Sequence, residues 1–140
     1  MMARYRTESV LAALEPHLRP GETLEFYASG VRHPNPLLVL VLLAMGILPG
    51  IVALMLLPKR YVVGLTDTRL LVLHVKGRLD VVEVSDYARD AMPETVARSG
   101  PFHTHIRIAD EARPFAAHFH RAGMDGNRAN AIAIGDALGR

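Results

Sequence analysis

Four of the chain's seven histidines fall into two pairs, His103 with His105 and His118 with His120. Within each pair the spacing is two, and the flanking residues Ile106, Ala117 and Phe119 are apolar. In extended chain a spacing of two places residues on one face. The pattern therefore predicts two neighbouring strands with apolar side chains inward and all four imidazoles outward. Symmetric pairing about Glu111-Ala112 sets His105 opposite His118 and His103 opposite His120. Cross-strand Cβ atoms about 5 Å apart bring such rings within reach of one metal ion, and imidazole suits zinc and similar transition metals. A second use is electrostatic: protonation below about pH 6.5 adds positive charge to that face, close to anionic lipid. The plain alternative is four exposed histidines with no ligand.

Other chemistry finds little support. Acidic residues are scattered singly, Ser29-Gly30 and Ser99-Gly100 lack a nucleophile-elbow setting, and no Gly-rich phosphate loop is followed by Lys and Ser or Thr. His17, His33 and His74 stand alone, and the chain has no cysteine to supply a thiolate or a disulfide. Sixteen Lys and Arg against 14 Asp and Glu, with the signs interspersed and no basic run, give no nucleic-acid signature. The expectation is a non-enzyme without a cofactor, with a four-histidine metal site as the alternative function.

The element that organises the rest is Leu37 to Leu57, 21 residues with no charge and no hydrogen-bonding side chain. A straight helix of that length spans roughly 30 Å, the hydrocarbon thickness of a bilayer. It is apolar all round, whereas a surface helix of a soluble domain keeps one polar face. Its position and its exit at Pro58-Lys59-Arg60 argue against a cleaved signal peptide. The interface residues are Arg32 before it and Lys59 and Arg60 after it. Positive charge at both ends is expected when both face the cytoplasm. Gly46-Ile47-Leu48-Pro49-Gly50 can turn the chain back, giving a re-entrant hairpin of two half-helices; a single kinked span is the alternative.

On either side the chain reads as one small domain. Val10, Leu11 and Leu14 predict a short helix capped by Thr7 or Ser9. From Thr23 alternation sets Leu24, Phe26, Ala28 and Gly30 on one face of a first strand. Arg60–Thr66, Leu70–Val75 and Leu79–Val84 follow as strands, Ser85–Met92 as loop, and Glu94–Arg98, His103–Ala109 and Pro114–Phe119 as three more strands. Asp125 can cap a last helix whose stripe is Ala131, Ile134 and Leu138. The fold class is mainly β: a seven-stranded antiparallel curled sheet or barrel with a C-terminal helix, a short N-terminal helix and a membrane-inserted helical hairpin. Residues 1–36 hold the first helix and strand, 37–57 the membrane segment, and 58–140 the remainder of the domain.

The stretch Tyr61-Val62-Val63-Gly64-Leu65-Thr66-Asp67-Thr68-Arg69-Leu70-Leu71-Val72-Leu73 resembles the β-hairpin signature of bacterial pleckstrin-homology-like (PH-like) domains, and Leu18-Arg19-Pro20-Gly21-Glu22 resembles their entry into the first strand. The resemblance implies a PH-like fold, an interaction or scaffolding role at the cell membrane with the domain in the cytoplasm, and homo-oligomerisation. Partners are then membrane lipid, further copies of the chain and an unidentified protein. Phosphoinositide-binding PH domains use basic residues around the connection of strands one and two. That connection here is the apolar run, so no headgroup-binding residue is carried over. Taken by themselves, Thr66 and Asp67 suit a turn, and Arg69 can pair with Asp67 or a neighbouring strand.

Overall fold

The computed structural model describes residues 5–32, 36–48, 51, 59–121 and 123–138. Seven strands form one antiparallel sheet: β1 (Leu24–Arg32), β2 (Lys59–Thr66), β3 (Arg69–Lys76), β4 (Asp80–Ala88), β5 (Thr95–Ser99), β6 (His103–Ile108) and β7 (Phe115–His120). Their order is β4-β3-β2-β1-β7-β6-β5. Among the described residues the pairing of β1 with β7 narrows to Val31 and His118, at a corner of the curled sheet. Ala28, Val63, Leu65 and Val72 on one side of this corner share a buried core with Ile106, Ile108, Phe115 and Phe119 on the other. The C-terminal helix α3 (Asn127–Leu138) closes that core with Ala131, Ile134 and Leu138, the stripe expected of it.

The outer face of β2 and β3 has a second apolar cluster. Helix α1 (Thr7–Leu14) lays Val10 and Leu14 over Val62, Leu71, Leu73 and Val75. Burial on both faces explains why β2 and β3 read as nearly continuous apolar runs instead of alternating ones. Gly64 lets α1 approach closely, because a Cβ there would lie 2.9 Å from Leu24 and 3.1 Å from Leu14.

Local expectations fail where backbone geometry overrides pattern. A register shift between Leu24 and Phe26 moves Leu24 onto the α1 side with Tyr27, away from Ala28; a bulge reverses alternation beyond it. Strand β4 continues to Ala88, through residues expected to be loop, because β3 offers it partners as far as Arg69. Arg6 occupies the N-cap of α1 with no side-chain cap bond, so neither Thr7 nor Ser9 caps it.

Helix α2 (Pro36–Met45) occupies the first half of the apolar run. It stops at Gly46, whose φ of 150° is open to glycine and costly for other residues. Residues 47, 48 and 51 are helical, while Pro49, Gly50 and 52–58 lie outside the described residues, and with them the rest of the expected hairpin. Ten residues make a helix of about 15 Å, and among the described residues no helix is long and apolar enough to cross a membrane. Strands β1 and β2 remain paired as far as Arg32 with Lys59, so the insert leaves and rejoins the sheet at one place.

Candidate functional site

The histidine face is built by β6 and β7. Thr104, Ile106 and Ile108 alternate inward on one strand and Phe115, Ala117 and Phe119 on the other. The four histidines between them are half-buried on the outer face. Their register is the symmetric one: His103 pairs with His120 and His105 with His118. Ring centres lie 4.6 Å apart for His105 and His118, 5.1 Å for His103 and His118, 5.4 Å for His103 and His120, and 6.3 Å for His118 and His120. As the rings stand, no three His, Asp or Glu side chains among the described residues are set to hold a metal ion.

Cations border this face. Successive strand partners run Arg98, His105, His118, Val31 and Arg60 across the corner of the sheet. Burial pushes the His105 pKa below the ordinary histidine value, and the neighbouring charges of His103, Arg107 and Arg98 add to the shift. Its uncharged form is thereby favoured, leaving one ring nitrogen as a hydrogen-bond acceptor.

The interface residues gather where the insert departs. Arg32 and Lys59 are partners there, with Arg60 one step in beside Val31. Arg32 borders two clefts: one of about 410 Å³ that also touches His105 and Arg107, and one of about 210 Å³ with Lys59, Tyr61, His74, Glu83 and Arg113. Burial first, then Lys59 and Lys76, pushes the His74 pKa down.

The residues of the hairpin resemblance form a closed polar node. Arg69 donates from Nε to Glu22 at 2.9 Å, from NH1 to Asp86 at 2.7 Å and from NH2 to the His17 carbonyl at 2.6 Å. Thr66 and Thr68 hydroxyls each lie 2.8 Å from the same Glu22 oxygen, and the Arg19 amide donates to the other at 3.0 Å. The side chains of Arg69 and Glu22 are 8% and 2% exposed. The Arg69 hydrogen bond, chief among these contacts, outweighs desolvation and holds the Glu22 carboxyl well below the usual carboxylate range. Asp67 is not Arg69's partner; it accepts from the Thr23 amide at 3.1 Å. The two stretches that carry the resemblance are thus joined to one another, and their chemistry is that of a structural clamp.

Three members of these polar arrangements escape a reading of spacing: Glu22, Asp86 and Asn127. Asn127 opens α3, accepts from the Ser29 amide at 2.7 Å and donates to the carbonyls of Ser29 and His120 at 2.9 and 2.7 Å. Its partners lie 98 and 7 residues away. The only local signal was a polar residue beside a helix start. No family model, curated protein or solved structure matches the chain.

Proposed function

We propose that the chain is a membrane-anchored PH-like interaction module, non-catalytic, whose apolar insert enters and leaves the bilayer from the cytoplasmic side. One observation carries this reading: an apolar helix stands exposed at the base where Arg32 pairs with Lys59. Leu37, Met45, Ile47 and Leu48 are 69, 74, 77 and 73% exposed, and lipid is the environment that relieves such exposure. Antiparallel pairing at the base supports a hairpin over a single span, since a span would separate β1 from β2 by the thickness of the bilayer. The strand order and the closing helix are compatible with the PH-like architecture. A turn within the hydrocarbon leaves backbone groups without partners unless protein or water covers them. Self-association supplies such cover, and with it the role of a scaffold at the cell membrane.

Extraction tests the anchoring. Membranes from cells expressing the chain should retain it through about 1 M salt, where the Debye length falls to about 3 Å, and release it only to detergent. Release by salt would replace the insert with peripheral electrostatic binding. Topology is read separately with single cysteines at Arg6 and Arg121 in this cysteine-free chain. A membrane-impermeant maleimide should label neither in intact cells and both after lysis. Labelling of one site in intact cells would mean a single span.

A further inference from the structure

We propose that His103, His118 and His120 form a binding site for a borderline transition metal ion, zinc or cobalt(II) being the probes of choice. This goes beyond membrane anchoring and does not depend on it. Three half-buried imidazoles on one sheet face have each of their mutual ring separations between 5.1 and 6.3 Å. Two imidazoles bound tetrahedrally to one zinc at about 2.0 Å hold their ring centres roughly 5 Å apart. Two of the three separations, 5.1 and 5.4 Å, are close to that spacing, and the rings must turn to aim their nitrogens at one point. The third, 6.3 Å between His118 and His120, has to shorten by about 1 Å, a change within the reach of side-chain rotation.

The backbone favours the site. Pairing of His103 with His120 and of His105 with His118 is fixed by core residues on the opposite face of the same strands, so the Cα positions are set before any metal arrives. The α3 clamp adds to this, since Asn127 Nδ2 donates to the His120 carbonyl at 2.7 Å and pins the end of β7. An all-imidazole donor set selects among metals: it suits zinc, cobalt, nickel and copper(II), and offers nothing to magnesium or calcium, which take oxygen ligands. Arg98 and Arg107 beside the face oppose a further positive charge, so the affinity expected is moderate. With three protein ligands, a fourth position is left for water. His105 packs against His118 at 4.6 Å and stands outside the three.

The experiment uses the 140-residue chain in detergent, without a histidine tag, stripped with chelator and titrated with cobalt(II). Saturation at one cobalt per chain is expected, with the visible absorption of four-coordinate cobalt and displacement by zinc. His103→Ala, His118→Ala and His120→Ala should each lower affinity at least 100-fold. His105→Ala and the distant His17→Ala should still bind one cobalt. Circular dichroism and thermal melting of each metal-free variant separate lost ligation from lost folding. Substoichiometric binding by the wild type would overturn the site, as would His118→Ala binding as the wild type does. Loss in His105→Ala with retention in His103→Ala would overturn the three-residue assignment. Failure of membrane anchoring would leave these results unchanged, so the two proposals stand or fall apart.

Discussion

Two polar clusters of the molecule are opposite in character. Around Arg69, unlike groups meet: a guanidinium, two carboxylates, two hydroxyls and a main-chain carbonyl, with donor matched to acceptor and with Arg69 and Glu22, though not Asp86, nearly excluded from water. On β6 and β7, like groups meet: four half-buried imidazoles with neighbouring ring centres 4.6 to 6.3 Å apart. Burial of a charge is tolerated when its pairing is complete, and the penalty for removing one member is then large. The Arg69 node therefore belongs to stability. The histidine face, partly in water, can lose a member at little cost to folding, and its proximity of like donors suits an added ion.

The contrast can be broken first at its strongest point. Arg69→Met leaves the Glu22 carboxylate buried without its cation and should lower unfolding free energy by about 3 to 5 kcal/mol in urea denaturation. A loss under about 1 kcal/mol would mean that the node is no better than a surface pair.

The same pair sets an acid limit. Folding lowers the Glu22 pKa from its ordinary value of 4.5, so the stability it contributes is fully present above that value and is lost as pH falls through the folded value. Stability of the wild type should drop steeply below about pH 4. In Arg69→Met that drop should be shallower, because the group that holds the carboxyl ionised is gone. Equal slopes would assign the acid limit to other carboxylates.

Thr66→Val tests the middle of the node. The single hydroxyl proton has its shortest approach to Glu22, 2.8 Å, and the oxygen accepts from the Arg69 amide at 3.0 Å and the Thr68 amide at 3.2 Å. Its removal should cost about 1 to 3 kcal/mol, read from the denaturation midpoint. The smallest effect belongs to the other cluster: metal-free His103→Ala should stay within about 0.5 to 1 kcal/mol of wild type. A larger loss there would make the face a structural element and erase the distinction.

Alternation made the four-histidine register legible. His103, His105, His118 and His120 keep strict period two in strands whose other face is apolar, and the core fixes register wherever one face is buried. The stripe of α3 was legible for the same reason, as was the seven-strand count. The face of Leu24 was not, because one bulged residue reverses every side chain beyond it. Nor was the extent of β4, whose exposed valines and polar residues gain strand geometry from pairing with β3.

The sequence by itself determined the apolar insert, its basic flanks and the clustering of imidazoles, since each depends on residue type and short-range periodicity. Tertiary structure decided where the ends of the insert lie and what Arg69 is for. Pairing of Arg32 with Lys59 brings the ends of the insert together. Arg69 meets Glu22 across 47 positions and Asp86 across 17. Such distances carry no local propensity, and only the closing of the sheet makes those groups neighbours.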